Sequence, residues 1–352
     1  MEEYHRYRRR KILFVILLSL AAVVTIGLSL TIGGRNLGFF ETYQVLFSHI
    51  MGATYDPASD QWLDDYIVWN SRLPRAIFAV LAGATLAVCG AVMQGVLHNP
   101  LADSYTTGVS SGACFGVSVS VVLGLSVGGG GDIYSLGTLL NAFIFALIPI
   151  AFIVGLSPLL KKSSASLILA GIAVSYLFNA FNTLLLVLTD AESLADIYIW
   201  QVGSVSEIFW ADLPLVVAVC IPCMICMALL SGKLNILNTG DDDARALGLN
   251  VDNLKTVTLS FSALAVAVVV CKAGILSFVG LICPHIIRMF IDADNRFVIP
   301  ASAGLAGVLL LGAEMISRTI SPSGTIPVGV VLSFIGAPVL LYLIVRRRSN
   351  IY

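Results

Sequence analysis

Three cysteines at regular spacing are the feature of the sequence that most directly suggests metal chemistry. Cys220, Cys223 and Cys226 form a C-x-x-C-x-x-C run, a spacing that can hold an iron–sulfur cluster or another metal. No fourth cysteine, histidine or carboxylate lies nearby, and the run falls in the middle of an apolar stretch. Small thiols packed between helices account better for this pattern. The sequence therefore predicts no metal site and no bound cofactor.

A polar segment at residues 234–253 carries the signals of a short helix between two apolar runs. Thr239 is suited to cap this helix. Three aspartates at 241–243 fall in its first turn, where carboxylates favour the positive end of the helix dipole, and Gly248 is suited to end it. A helix of about two turns is too short to be stable alone in water, so it must lie against another surface. It is either an ordinary surface helix or a lever that passes a partner's motion into a membrane domain.

The elements that must position these residues are membrane-spanning helices. Apolar residues make up 58% of the chain and charged residues 12%, and the mean hydropathy is +0.93. A soluble domain carries roughly 25% charged residues. Apolar runs of about 20 residues recur, so the fold class is predicted to be an all-α polytopic membrane protein. We expect a single transmembrane domain over residues 1–352. The net charge of −1 gives no indication of nucleic-acid binding.

The distribution of charge predicts the topology. A basic block at residues 6–11 precedes the first apolar run, which is too long for a signal-peptide core and is therefore expected to be a retained span with its N-terminus in the cytoplasm. The run at 254–291 would be roughly 57 Å long as one helix, against a hydrocarbon core of about 30 Å, so it is expected to cross twice. The result is about ten spans, with both termini and the segment 234–253 on the cytoplasmic side. The runs are 12–32, 73–97, 105–127, 136–160, 166–189, 210–230, 254–291, 297–317 and 326–345.

Several basic residues fall on the outer side of this topology, where a short helix is also predicted at residues 40–49. Arg72 and Arg75 are one helical turn apart and can share a face, and Arg318 follows Glu314 by four residues. Arginines at span ends commonly reach towards the membrane interface with their charged heads. The other interpretation is an outward basic rim that docks an acidic partner. The pattern alone favours neither.

Polar and small residues inside two spans have simpler interpretations. Asn179 and Asn182 share a face of the fifth span, where amides either bond between helices or line a water-filled path. Gly108, Gly112 and Gly116 recur at four-residue spacing, which predicts close helix packing.

Missing motifs limit the function. The chain has no G-x-x-x-x-G-K-[ST] phosphate loop, so it does not hydrolyse ATP by that route. No carboxylate lies deep in a span, as an ion-coupled secondary carrier would need. No nucleophile–base motif indicates a membrane-embedded enzyme. A secondary carrier and an enzyme remain the alternatives from other classes.

Six motifs in order resemble one family, the FecCD-type permeases of ABC importers for iron–siderophores, haem and cobalamin. The resemblance covers the chain from about the second span to the C-terminus. The motifs are RLPR at 72–75, GAVMQGVLHNPLAD at 90–103, GVSSG at 108–112, GDDDARALGLN at 240–250, FVGLICPHIIR at 278–288 and IPVGVVLSFIGAP at 326–338.

The resemblance implies roles for particular residues. The family's ATPase-coupling pattern G-x-x-x-A-x-x-L-G falls, with Arg245 inside it, on Gly240, Ala244, Leu247 and Gly248. Arginines of the family that meet acidic residues of a binding protein match Arg72, Arg75 and Arg318, which favours docking over a purely interfacial role. The loop before the fifth span and that span itself, which line the path and form its gate, match Ser163, Ser164, Asn179 and Asn182.

The resemblance also implies the assembly. It predicts a dimer with a second permease subunit, either a copy of this chain or a close relative. Two cytoplasmic ATP-binding subunits would use the ATP, and a substrate-binding protein would dock on the extracytoplasmic side. The expected function is import of ferric siderophores through the cell membrane, with cobalamin or haem as the alternative cargo within the family.

Overall fold

The computed structural model describes residues 2–35, 37–127, 132–156, 164–320 and 326–349, and within them every regular element is a helix. A π-helical turn at Ile67–Arg72 joins α3 to α4, and 3₁₀ turns at Ser104–Thr107 and Trp210–Asp212 precede α5 and α9. The helices are α1 Glu2–Thr31, α2 Phe39–Ile50, α3 Asp60–Tyr66, α4 Leu73–Val96, α5 Val109–Leu123, α6 Leu136–Leu156, α7 Ser164–Val187, α8 Ala191–Val202, α9 Leu213–Leu229, α10 Ser231–Leu237, α11 Asp241–Ala246, α12 Val251–Ala273, α13 Val279–Ile291, α14 Asn295–Ile320 and α15 Val328–Ser349.

Seven described helical segments are long and apolar enough to cross a membrane, and three shorter apolar helices, α5, α13 and the first part of α15, accompany them. This architecture confirms the predicted polytopic helical fold. The apolar run 254–291 forms two helices as expected, and the break lies at Gly274, which ends α12 with φ +68°. The third run is shorter than predicted, because a 3₁₀ turn and a left-handed Gly108 delay the start of α5 to Val109.

Helix α4 lies at the centre of the bundle, and most of its residues are buried on every side. It packs against α14, α13, α12 and α9. Gly90 of α4 lies so close to the backbone carbonyl of Gly280 in α13 that a Cβ at residue 90 would overlap it. Small residues that let backbones approach are typical of helix contacts in membranes, where the hydrophobic effect does not drive helices together. Residues of this kind therefore fix the spacing of the central helices.

The predicted small-residue stripe of α5 packs against α6. A Cβ at Gly112 or Gly116 would meet the backbone carbonyls of Phe145 and Asn141, respectively. The structure thus confirms the packing interpretation of these glycines. In α9, Cys220 and Cys223 are buried and Cys226 is half-buried, and the Cys220 thiol donates to the Ala265 carbonyl of α12 at 3.7 Å. These thiols therefore lie at helix contacts.

Helix α14 connects the two ends of the bundle that matter for function. Its first residue, Asn295, meets Asn235 of α10, while Arg318 near its other end meets Ser29 of α1. A helix of this length spans about 39 Å. We call these two regions the α11 end and the Arg318 end.

Candidate functional site: the two ends of the bundle

Helix α11 is a single short helix bounded by two glycines that both have a positive φ. Gly240 precedes it with φ +115°, and Gly248 follows it with φ +84°. The Gly248 N–H donates to the Arg245 carbonyl at 2.9 Å, and the Leu249 N–H donates to the Ala244 carbonyl at 3.0 Å. This pair of bonds is the Schellman arrangement that ends a helix at a glycine. The predicted role of Gly248 in ending the helix is therefore confirmed.

The predicted cap at Thr239 is wrong. The Thr239 hydroxyl donates back to the Ile236 carbonyl at 2.8 Å, and Gly240 occupies the N-cap position without a side-chain bond. The turn between α10 and α11 requires a positive φ, which glycine adopts at little cost. No side chain therefore caps the start of α11. The three aspartates lie in its first turn as expected.

An ion pair formed by a buried lysine holds α11 against the bundle. The Lys255 ammonium of α12 lies 2.6 Å from a carboxylate oxygen of Asp241, and the Lys255 side chain is almost completely buried. His98, just beyond α4, places Nδ1 3.9 Å from the other Asp241 oxygen, while its Nε2 lies 2.8 Å from the Leu237 carbonyl. Ala244, on the side of α11 that faces the bundle, is fully buried. These contacts link α11 to both α4 and α12.

The opposite side of α11 is open. Leu247 is 69% exposed, beside charged neighbours. Arg245 is also exposed, and it reaches Asp252 at 3.1 Å and Asp242 at 3.8 Å. Among the residues of the coupling pattern, the structure thus separates the buried Ala244 from the exposed Arg245 and Leu247.

Helix α10 connects this region to α14. The Asn235 amide donates to Asp294 at 2.6 Å, and the Asn295 backbone N–H donates to the Asn235 oxygen at 2.8 Å. Arg288 of α13 donates to Asn295 at 3.3 Å and to the Ala91 carbonyl at 3.1 Å. A displacement of the α10–α11 segment would therefore act on α4, α13 and α14 together.

At the Arg318 end, two arginines bind the last carbonyls of α1. Arg72 donates to the Leu30 carbonyl at 2.6 Å, and Arg318 donates to the Ser29 carbonyl at 2.5 Å. The last carbonyls of a helix have no partner within it and carry the negative end of its dipole. Cationic donors at this position satisfy them and stabilise the contact between α1, α4 and α14.

These contacts show that two arginines of the predicted outward rim are held by the bundle itself. Arg72 is 4% exposed, and Arg318 is paired at 3.3 Å with the buried carboxylate of Glu314. Both side chains therefore point into the bundle, because buried carbonyls and a buried carboxylate need cationic partners. Arg75 is half-buried, as is Arg318, but no ion pair of the Arg75 side chain occurs within the described part of the chain. The docking role of the three arginines stays a prediction, for which Arg75 is the simplest candidate.

The predicted path residues lie in different environments. Asn182 is buried, and its oxygen accepts a bond from the Ser118 hydroxyl of α5 at 2.6 Å. Asn179 is exposed on the surface of α7. Ser164 begins α7, and Ser163 lies outside the described residues. Asn182 thus forms an interhelical bond, whereas Asn179 remains available to line a path.

Helix α8 lies at the Arg318 end and is capped by Asp190, which accepts bonds from the Glu192 and Ser193 backbone N–H groups at 3.2 and 3.1 Å. The donors from Ser193 hold the pKa of this carboxyl below its usual value. Asp190 therefore stays ionised at neutral pH and keeps the start of α8 fixed.

Sequence reasoning missed Lys255 and His98. Lys255 follows the predicted cytoplasmic segment 234–253, and one sequence gives no sign that it is buried. One signal was available: a lysine one turn into a helix, shortly after three consecutive aspartates. Only the fold shows which of those aspartates pairs with Lys255.

The fold and the two ends define a class of protein. A bundle of spanning helices with a short helix braced at one end and a mostly apolar interior is a multi-pass membrane protein. The comparisons with known proteins make this specific. The chain belongs to the FecCD transport family, whose sequence model matches residues 20–346. It is therefore a permease subunit of an ABC importer.

The relatives carry different cargoes according to their names. The hemin transport permease HmuU of Yersinia pestis is 35% identical over 91% of this chain and 93% of the relative. The vitamin B12 import permease BtuC of Vibrio cholerae is 31% identical over 89% and 93%. Relatives named for molybdate and iron(3+)-hydroxamate import are each 31% identical. A solved metal-chelate type ABC transporter in an inward-facing conformation is 29% identical, with a TM-score of 0.80 over 94% of this chain and 98% of that chain.

Proposed function

We propose that this permease imports ferric siderophores, driven by ATP that separate subunits hydrolyse. The observation that carries the proposal is the family match across nearly the whole chain, together with relatives named for hydroxamate-bound iron, haem and vitamin B12. These cargoes are large metal chelates. The wide path that such cargo needs requires no tight binding site in the permease, since a separate binding protein selects the substrate. Haem or cobalamin import is the second candidate.

Helix α11 is proposed as the contact through which two cytoplasmic ATP-binding subunits act. The exposed Leu247 and Arg245 would meet an ATPase groove, while Lys255 and Ala244 pass its displacement to α12 and the core. The contacts of α10 with Asp294 and Asn295 extend the same motion to α14. This division between an outer contact side and an inner braced side supports the lever interpretation over an ordinary surface helix.

Arg75 is proposed as the residue of the Arg318 end that meets an acidic binding protein. Arg72 and Arg318 would act indirectly by fixing the ends of α1 and α14 beneath it. Reversing the charge of all three residues would therefore test folding and docking together. A change at Arg75 alone, with the thermal midpoint as the check on folding, separates the two.

Helix α7 is proposed to face a second permease subunit across the path. Most of this helix is exposed in the single chain, including large apolar side chains at Tyr176, Leu184 and Val187. Asn179 lies on the same helix and supplies a polar group for the path. The second subunit would be either a copy of this chain or a close relative.

The proposed orientation places both termini and α11 in the cytoplasm. The basic block at residues 6–11 supports this arrangement through the positive-inside rule. The Arg318 end then faces the extracytoplasmic side, where the binding protein docks. The protein would lie in the cell membrane, surrounded by lipid.

The proposal is tested by uptake into proteoliposomes that hold this chain, its ATPase and its binding protein. Radiolabelled ferric siderophore, haem, cobalamin and molybdate are compared with and without ATP inside. We expect ATP-dependent uptake of the ferric siderophore. ATP-dependent uptake of another cargo alone would keep the permease and overturn the substrate, whereas uptake without ATP would indicate a secondary carrier.

A further inference from the structure

Helix α2 carries an exposed apolar sector that the transport function does not explain. Phe39, Phe40, Phe47 and Ile50 expose between 51% and 86% of their surface. Their spacing, together with Tyr43, places them on one side of the helix. The neighbouring sector is polar, with Glu41, Gln44 and Ser48 at positions i, i+3 and i+7. The helix therefore divides its exposed surface lengthwise into an apolar half and a polar half.

The third side of α2 is fixed to the protein. His49 lies 2.8 Å from the Asp65 carboxylate and stacks on Trp69 with ring centroids 4.2 Å apart. Thr42 is buried. The helix thus has a defined rotation, and the apolar sector cannot turn inward to hide itself.

The apolar sector lies beside the last turn of a membrane span. The Tyr43 hydroxyl occupies the space where a Cβ at Gly27 of α1 would lie. Gly27 is four residues before the end of α1, hence about 6 Å from that end along the helix axis. The polar interface of a bilayer is several ångströms thick on each side of the hydrocarbon core. With the end of α1 at the bilayer surface, Tyr43 would lie near the boundary between the headgroups and the hydrocarbon core.

The apolar sector also continues the exposed apolar surface of α1. Val23, Val24 and Leu28 of that helix are exposed, and α1 is a candidate span with few buried residues. Lipid is the expected neighbour of this surface, since the second permease subunit is proposed to meet α7. Tyr43 approaches α1 at Gly27, which lies about one helical turn or less from each of these residues.

We propose that α2 is an interfacial helix that lies in the bilayer leaflet at the Arg318 end. Its aromatic and aliphatic sector would enter the boundary between headgroups and acyl chains, and its Glu41–Gln44–Ser48 edge would face water. Aromatic rings are favoured at this depth, and a helix divided lengthwise into apolar and polar halves is typical of interfacial anchoring. The apolar sector has no basic residue, so the binding is to the apolar layer and not to anionic headgroups. This role concerns anchoring and does not depend on the cargo.

The test is a measurement of depth in nanodiscs of phosphatidylcholine and phosphatidylglycerol that hold the assembled transporter. Single nitroxide labels are placed at Phe40→Cys, at Phe47→Cys and, as a matched control on the polar edge, at Gln44→Cys. Collision rates with oxygen, which concentrates in the bilayer, are compared with those of a water-soluble nickel chelate. Six of the seven native cysteines are buried, so the unsubstituted chain treated with the same label supplies the background.

We expect the oxygen-to-nickel collision ratio to be several-fold higher at the two phenylalanine positions than at Gln44. Equal ratios with dominant nickel collisions at all three positions would overturn the proposal. So would labels that are accessible to nickel in the transporter alone and become protected only when the binding protein is added, because that result would assign the sector to protein docking. Phe40 and Phe47 are exposed in the fold, so assembly of the labelled variants should match that of the control.

Discussion

At the scale of single residues, buried charges do most of the positioning at both ends of the bundle. Lys255 holds Asp241 at one end, while Arg72 and Arg318 hold the carbonyls of α1 at the other. Burying a charge is unfavourable unless it is paired and hydrogen-bonded. Each of these contacts is therefore specific for one arrangement of the helices it joins, and removing one partner leaves the other in an unfavourable state.

The contact between Lys255 and Asp241 leads to the first prediction. Lys255→Met keeps the volume of the side chain but removes the charge, so Asp241 loses its ammonium partner. Breaking a fully buried ion pair costs roughly 3–5 kcal/mol. Asp241 is partly exposed, so we expect a loss of about 2 kcal/mol, measured as a lower thermal midpoint in detergent. ATP-driven uptake should fall as well.

Lys233→Met is the matched control, because Lys233 lies nearby and is exposed. It should leave the thermal midpoint unchanged. The double variant Lys255→Met/Asp241→Asn should be less destabilised than Lys255→Met alone, since the uncompensated charge is gone. Equal midpoints for the two lysine variants would show that the ion pair does not brace α11.

Arg75 carries the second prediction. Arg75→Glu should slow association of the binding protein roughly tenfold at low salt, because rim charges act mainly on the encounter rate. The difference should shrink as salt screens the charges. Surface plasmon resonance on the reconstituted permease measures both rates, with Arg75→Gln as the intermediate case. An association rate for Arg75→Glu that equals the native rate at low salt would remove Arg75 from the docking surface.

The sequence could predict which residues are charged at each end, but not where their side chains point. Arg72 and Arg75 are one turn apart and look equivalent in the sequence. In the structure, Arg72 reaches the end of α1, from which it is separated by about forty residues of chain. Asn179 and Asn182 also look equivalent in the sequence. In the structure only Asn182 has a hydrogen bond with Ser118 of α5. Such differences depend on neighbours that are distant in the chain.

At the scale of helices, close backbone contacts decide which spans can pack together. The α4–α13 contact at Gly90 and Gly280 leaves no space for a side-chain carbon. In tightly packed interiors such an insertion forces the backbones apart. The crossing therefore depends on glycine.

Gly90→Ala is the third prediction. We expect destabilisation of about 3 kcal/mol or failure to assemble, since the added Cβ would overlap the Gly280 carbonyl. Gly312→Ala in α14 is the matched control, because no neighbouring atom lies within 4 Å of the new Cβ. That change should be neutral or stabilising by up to about 1 kcal/mol through helix propensity. Thermal unfolding of both variants in the same detergent distinguishes the outcomes. Similar midpoints for the two would contradict the packing argument.

Helix positions were largely predictable, because about 20 apolar residues are needed to cross the hydrocarbon core. The break in the run 254–291 followed from its length, together with the positive-inside rule applied to the basic residues of the chain. The start of α5 and the glycine cap of α11 did not follow, since both depend on positive backbone angles at Gly108 and Gly240. The amphipathic helix α2 was predicted within one residue at each end, but its contact with α1 was not.

At the scale of the whole molecule, a continuous series of contacts links the two ends of the bundle. α11 is braced on α12 and α4, α10 is tied to the start of α14, and the other end of α14 carries Glu314 and Arg318. Helices are stiff over this distance, so a displacement at one end is expected to reach the other. This continuity is what an ATP-driven switch between outward- and inward-facing forms requires.

The choice of residue is important in testing this transmission. Ala244 is fully buried, so Ala244→Arg would disturb packing beneath α11 as well as any contact above it. Leu247 is exposed and belongs to the coupling pattern. Leu247→Asp removes an apolar contact from the proposed interface and leaves the fold intact, with the thermal midpoint as the check.

The most direct test of the account is therefore ATP-driven uptake by the native transporter and by Leu247→Asp in the same proteoliposomes. The account predicts uptake by the native transporter only when ATP is present inside, and loss of that uptake in the variant although the permease still folds. Native uptake that does not need ATP would contradict the importer mechanism. Full ATP-driven uptake by Leu247→Asp would show that α11 does not carry the coupling.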